Sequence, residues 1–299
     1  MHTFLLTPDM KLRSRAHSVL GIHTLQGKIV YVHTALEDIP REQITDDTGY
    51  PQHIIADFFS PDFSQHMQVR TSYNGKKVLF YTAAACCVEN QRLFLNTLKY
   101  ALYNPDLYDP LAMLYEITDS EIREVTPSPQ PEKREHSDKK TYRFGDYSLR
   151  MASEWKLECR SAATDTLIWD MRLTAWLYSE LEERNGILYF GTAGQGGHFY
   201  GVSLTDGCVI FDRNTGGTTA VVWVSDNLAI TDRNGDLIFL NPADGSEIRR
   251  FHLKRMVISA GGLVYNGKFY TSAYDKKEFC KYAVCLQLSE NENAGADAL

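Results

Sequence analysis

The sequence predicts an all-β chain of repeated antiparallel hairpins, folded as a single β-propeller, and three observations carry that prediction. One is a template of strand, turn and strand that occurs as LECRSAATDTLIWDM from Leu157, FYGVSLTDGCVIFDR from Phe199 and LIFLNPADGSEIRRF from Leu237. Its turn aspartates, Asp165, Asp206 and Asp244, are 41 and 38 residues apart. The next is a second beat on the same period, half a repeat out of phase. It consists of Asn185-Gly186 before ILYFGTA, Asp226-Asn227 before LAIT and Asn266-Gly267 before KFYTSA, 41 and 40 residues apart. The last is composition: Gly, Asn and Asp supply the φ > 0 positions of tight hairpin turns, and the flanking Val, Ile, Phe and Tyr suit pleated, packed strands. Each repeat therefore reads as four short antiparallel strands. A period near 40 residues describes propeller blades, because the strands of a sandwich carry no such repeat.

Taken in order, the first fifteen residues hold strand-like sequence (TFLLTP, MKLRSR) ahead of the first full repeat. Gln26-Gly27-Lys28 leads IVYVHTA, and ITDDTGYPQHIIADF from Ile44 places an Asp and Gly turn between two strands. Asn74-Gly75-Lys76 leads KVLFYTAAA. Glu89 to Asp109 has helix-compatible content and reads as an insertion, with the helix stopping at Pro105. LYEITDSEIREV from Leu114 returns to the strand pattern. Thr126 to Lys140 (TPSPQPEKREHSDKK) is a second insertion, Pro-rich and charged, expected as a flexible surface loop. Gly-led strands near residues 28, 77, 147, 187, 228 and 268 imply six blades. Seven is the alternative if residues 85 to 147 hide a degenerate one. The last blade, ending in KYAVCLQLSE, lacks its outermost strand. An N-terminal strand completing it would close the ring and remove an open edge. The propeller domain then spans residues 1–290, and the polar tail 291–299 is expected to be disordered.

Composition narrows the function. The net charge is −7, with acidic and basic residues interspersed, and the densest basic stretches, Lys133 to Lys140 and Arg249 to Arg255, are short or mixed with other residues. A phosphate-binding face would show clustered Lys and Arg, so no nucleic acid is expected. The N-terminal apolar run is only three residues long before Pro8, which is neither a secretory signal nor a membrane span, so the expected address is the cytoplasm. In that reducing compartment Cys86, Cys87, Cys159, Cys208, Cys280 and Cys285 are expected as thiols.

The segments YGVSLTDGCVIFD and FLNPADGSEIRRF resemble the PQQ-like (quinoprotein-type) propeller repeat: an apolar strand, an Asp-Gly turn, and a strand that ends in a docking Trp. Trp169 stands at that docking position, Phe211 takes it in the next repeat, and Arg249 to Phe251 replaces it in the third. The resemblance covers residues 145 to 288 and implies a fold rather than an activity. The superfamily includes quinone-dependent dehydrogenases as well as non-enzymatic scaffolds. In the alcohol dehydrogenases a vicinal disulfide lies against the cofactor, and Cys86-Cys87 is a vicinal pair. The Ca²⁺-holding carboxylate and amide set of those enzymes cannot be assigned here, so the pair reads as two small thiols at a strand end and no cofactor is expected.

Other motifs have structural readings. Asp232-Arg233-Asn234-Gly235-Asp236 looks like the start of a calcium loop but lacks the twelfth-position Glu, and Asn234-Gly235 reads as a turn within a blade. Gly194-Gln195-Gly196-Gly197 runs into a strand rather than a helix, so it reads as an inter-strand loop rather than a phosphate cradle. No metal, hydrolase or nucleotide signature is present in the sequence.

The propeller register collects the loops between second and third strands on one face: His33 to Glu37, Thr192 to His198, Thr231 to Asp236 and Tyr274 to Glu278, with the inter-blade loop Arg213 to Gly217. The candidate partner-binding residues are His33, His198, Arg213, Asp232, Arg233, Tyr274 and Lys276, a polar and aromatic set of the kind that builds recognition surfaces. The expected function is a non-enzymatic scaffold that binds another protein, such as an inhibitor or immunity-type partner. The alternative is an enzyme or binder of a small molecule, a sugar or nucleotide, in the central channel.

Overall fold

The computed structural model describes residues 1–7, 19–36, 52–71, 80–100, 111–125, 140–259 and 261–288. All regular structure among them is strand. β1 (His2–Thr7) precedes a four-stranded sheet of β2 (Val19–Leu25), β3 (Lys28–Leu36), β4 (Gln52–Phe59) and β5 (His66–Arg70). Next come β6 (Phe80–Glu89), β7 (Arg92–Tyr100), β8 (Leu111–Ile117) and β9 (Ile122–Glu124). The third sheet has β10 (Tyr142–Phe144), β11 (Tyr147–Ser153), β12 (Lys156–Ser161) and β13 (Leu167–Arg172). The fourth has β14 (Glu182–Arg184), β15 (Ile187–Gly191), β16 (His198–Ser203) and β17 (Val209–Asn214). The fifth has β18 (Val222–Val224), β19 (Asn227–Thr231), β20 (Leu237–Leu240) and β21 (Glu247–Phe251). The chain ends with β22 (Met256–Ile258), β23 (Leu263–Tyr265), β24 (Lys268–Asp275) and β25 (Lys281–Gln287). Each of the first five sheets pairs its strands in sequence order, antiparallel throughout, which is the blade pattern of a six-bladed β-propeller.

The sixth sheet departs from the expected four strands. Its order is β1-β25-β24-β22, and β23 also pairs with β24, so the inner edge of β24 is shared by two short strands. β1 supplies the missing outer strand, with His2 opposite Cys285 and Phe4 opposite Ala283. The expected N-terminal completion of the last blade is therefore present.

The chain divides into two compact units. The first comprises Met1–Arg134, Tyr265–Ser272 and Lys277–Leu288, and the second Glu135–Val264, Ala273–Lys276 and Ser289–Leu299.

The turns that lead each second strand explain the repeat. Gln26-Gly27, Asn185-Gly186 and Asn266-Gly267 all hold positive φ at both positions, the geometry of a type I′ hairpin turn. In the second sheet the same role falls to Asn90 (φ 49) and Gln91 (φ 60), which lead β7. This corrects two expectations. Arg92 to Tyr100 is a strand, not a helix: Leu93 and Leu95 are buried while Arg92 is exposed, so the period is two. The Gly-led strand expected near residue 77 is β6, the first strand of its sheet, and the true second strand is β7. The stretch from Glu89 to Tyr100 is thus part of a regular blade. Asn74-Gly75, the Asp and Gly turn before Gln52, residues 126–139 and the tail 291–299 lie outside the described residues.

Adjacent residues of one strand serve opposite neighbours. On β15, Leu188 and Phe190 join a core with Leu149, Leu157 and Cys159 of the third sheet. Tyr189, between them, joins Leu228, Ile230 and Ile238 of the fifth. A strand covered on both faces must be apolar at every position, which is why these second strands read as continuous hydrophobic runs. In the first unit, Val30, Val32 and Ile54 pack against Leu93 and Leu95 in the same way.

The outer strands of the second unit are docked by aromatic rings. Trp169 of β13 is buried, donates its indole N–H to the Leu204 carbonyl at 2.9 Å and lies over Gly207, where an added Cβ would stand 2.7 Å from Cδ2. Phe211 of β17 lies over Gly245 in the same manner. Gly207 (φ +73) and Gly245 (φ +69) occupy the left-handed position of their turns, and Asp165 (φ 54) holds the corresponding position of the preceding turn. We expect Gly245→Ala to destabilise the chain by about 2 kcal/mol from the positive φ alone, read by chemical denaturation. An effect indistinguishable from zero would mean that Phe211 moves aside and the turn relaxes.

Candidate interaction face

In the second unit the loops at one end of successive sheets are joined by backbone hydrogen bonds. Leu173 N–H donates to Trp155 O (2.8 Å), Ala193 N–H to Trp176 O (2.8 Å), and Thr215 and Gly216 N–H to Gly197 O (both 3.0 Å). The row continues with Arg233 N–H to Thr215 O (2.9 Å), Ile258 N–H to Gly235 O (3.1 Å) and Lys276 N–H to Arg255 O (3.2 Å). These connections satisfy the polar groups of irregular backbone and hold the loops as one continuous surface.

Arg213 of β17 and Arg250 of β21 both pair with Glu247, whose carboxyl is held below its usual range by the two guanidiniums. Arg250 also donates to Asp232 (3.1 Å) and Asp236 (2.9 Å), and His252 bonds Asp236 at 2.7 Å. Burial pushes the Asp236 carboxyl up, but His252 and Arg250 outweigh it and hold it low. Asp232 further accepts from the N–H groups of Asn234 and Asp236, which makes the suspected calcium loop an Asx turn. His198, at the start of β16, pairs through Nδ1 with Asp212 and stacks on Tyr200 with ring centroids 5.7 Å apart. Arg213, Asp232 and His198 are thus engaged within and between the fourth and fifth sheets. Arg233 is exposed, with its side chain against Gly216. Lys276 is exposed at the end of the row, and Tyr274, opposite Val257, is half-buried.

His33 does not belong to this face. It lies inside β3 in the first unit, fully buried, with Nε2 2.6 Å from Asp57 Oδ2. The expected loop from His33 begins later, because β3 runs on to Leu36. Residues 37–50 lie outside the described ones.

The strongest feature of the face is a segment that matches no sequence motif. From Leu173 to Leu181 the chain runs as an irregular strap, bent at Thr174, Ala175 and Ser179, in which Leu173, Ala175, Leu177, Ser179 and Leu181 are buried. The residues between them point outward, Trp176 at 59% and Tyr178 at 50% exposure. Trp155, 40% exposed in the turn between β11 and β12, meets Trp176 with ring centroids 6.4 Å apart and planes inclined at 55°. The alternation is one of burial and not of residue type, since Ala175, Trp176, Leu177 and Tyr178 form a single apolar run in the sequence.

Among the described residues no cluster of three or more His, Cys, Asp or Glu could hold a metal ion. No described helix is long and apolar enough to cross a membrane. A groove in the first unit, lined by Lys28, Arg92, Glu116 and Asp119 among others, holds about 100 Å³, room for a few waters rather than a metabolite.

Sheet topology and loop face together define a β-propeller with a hydrogen-bonded, aromatic-bearing surface. The sequence matches no protein-family model and no curated protein. Among solved structures the chain is similar to BamB from Moraxella catarrhalis, at 11% identity over 95% of this chain and 98% of that one, TM-score 0.41. It is also similar to Sqt1 of Saccharomyces cerevisiae, at 11% identity over 100% and 94%, TM-score 0.40. The computationally designed Ika8 protein matches at 9% identity over 91% and 86%, TM-score 0.40. Likenesses at this level assign no function, and the fold rests on the sheets described above.

Proposed function

We propose that this chain is a non-enzymatic protein-binding module whose partner docks on the loop face of the second unit. The observation that carries the proposal is the exposed trio Trp155, Trp176 and Tyr178 on backbone already immobilised by hydrogen bonds. Large aromatics on rigid supports give contact area at low entropic cost, the signature of interface hot spots. Arg233, Tyr274 and Lys276 extend the rim, while His198, Arg213 and Asp232 are engaged with Asp212, Glu247 and Arg250. An inhibitor of a toxin or enzyme is one form such a module takes. Trp169 over Gly207 supports the PQQ-like repeat reading, and six cysteines held as thiols suit a cytoplasmic address.

The test is affinity capture from the native cytoplasm with the whole chain and with a Trp155→Ala/Trp176→Ala variant of matching thermal stability. A stoichiometric protein that is captured by the first and at least about 30-fold depleted with the second is expected, since each hot spot is worth about 2 kcal/mol or more. Equal capture by both would reject this face.

A further inference from the structure

We infer that the partner of this face is acidic: a protein segment that sets apolar side chains against Trp155 and Trp176 and runs Asp or Glu residues along the far end of the loop row. The inference rests on the docking reading above and adds the partner's chemistry. Although the chain carries a net charge of −7, the loops beyond the aromatic trio concentrate basic residues. Arg233 stands on the β19–β20 loop, Lys254 and Arg255 in the turn between β21 and β22, and Lys276 on the β24–β25 loop, all exposed. The backbone bonds from Thr215 to Arg233, from Gly235 to Ile258 and from Arg255 to Lys276 make these loops consecutive along one edge.

Of the carboxylates at these loops Asp232, Asp236 and Asp275 are engaged inward, while Glu278 on the β24–β25 loop is exposed and accepts from the Tyr282 hydroxyl at 3.2 Å. Asp232 and Asp236 are taken by Arg250, Asp236 also by His252, and buried Asp275 by Arg255 at 3.2 Å. Arg233, Lys254 and Lys276 pair with no carboxylate among the described residues. Their supports are fixed: Arg233 lies across Gly216, and the turn from Leu253 to Met256 is closed by a 3.1 Å bond and holds Arg255 at φ 71. Basic side chains that outnumber the outward carboxylates of these loops favour an oppositely charged patch on the partner. The aromatic end supplies affinity and the basic end supplies orientation and salt dependence.

A random-peptide display library panned on the full chain tests this without a known partner. Enriched peptides are expected to pair an aromatic or aliphatic cluster with an excess of Asp and Glu. Their binding should fall about tenfold on raising NaCl from about 50 to about 500 mM. A similar loss is expected in the Arg233→Glu/Lys254→Glu/Lys276→Glu variant, and binding should be lost in Trp155→Ala/Trp176→Ala. Peptides without acidic excess, or unaffected by the charge reversal but lost with the tryptophans, would overturn the acidic partner and leave the docking face standing. No enrichment, or enrichment indifferent to both variants, would overturn both. Binding of an oligonucleotide that the tryptophan variant retains would also overturn the inference, since phosphate would then be what the basic loops recognise.

Discussion

Trp169→Ala is expected to cost about 3–5 kcal/mol of unfolding free energy, the range for truncating a large buried aromatic. The indole fills the space between the outer strand β13 and the Gly207 turn of the next sheet, and its N–H satisfies the Leu204 carbonyl. Removing it opens a cavity and leaves a carbonyl unpaired, two penalties at one site. Urea denaturation of the single variants and of Trp169→Ala/Gly207→Ala separates this from a generic core effect. Gly207→Ala alone suffers both the positive φ and the collision with the indole. In the double variant the collision is gone, so the cycle should be less than additive by at least about 1 kcal/mol. Strict additivity would show that the ring does not dock on the turn.

Asp57→Ala is the second large effect. The carboxylate is fully buried in the first unit and accepts from His33 Nε2 (2.6 Å), His66 Nε2 (2.7 Å) and Gln68 Nε2 (2.8 Å). Deleting it strands three donors, one of them on the fully buried His33, and should cost about 3–5 kcal/mol, as for breaking a buried pair from one side. Burial alone pushes the Asp57 carboxyl up, but the hydrogen bonds from His33, His66 and Gln68 outweigh it, and the folded value lies below the ordinary one. A carboxyl lowered on folding binds protons more readily in the unfolded chain. Its stabilisation is therefore full above the unfolded value near pH 4 and is lost as pH falls through the lower folded value. Below about pH 4 the native chain should lose stability with falling pH more steeply than Asp57→Asn. Parallel profiles would remove Asp57 from the account of acid unfolding.

These residues also show how far the sequence could be read. Trp169 and Phe211 were legible because a docking ring stands four residues after a left-handed turn position, a relation between near neighbours. The 40-residue beat and the six blades are legible for the same reason, since hairpin turns and alternation are local, and the N-terminal strand on β25 follows from the outermost strand missing in the last repeat. The helix expectation fails at β7, where three Leu together with Arg92, Asn96 and Lys99 are as compatible with a helix as with a strand. Its pairing with β6 and β8 overrode that composition. His33 was misplaced by two or three residues of strand length, enough to move a histidine from a loop rim into a buried bond with Asp57.

What the sequence determined by itself was the architecture of each blade, because turn chemistry and strand period depend on residues within one hairpin. What only the tertiary structure decided was which side chains remain available on the face. Arg213 looks like a recognition residue until Glu247, 34 positions away, is found beside it, and Asp232 until Arg250 is. Trp176 and Tyr178 look like core until the buried strap of Leu173, Leu177 and Leu181 turns them outward. Charge compensation is set here by side chains 18 to 34 positions away, and exposure by which residues of the strap are anchored, neither of which a hairpin-scale pattern records.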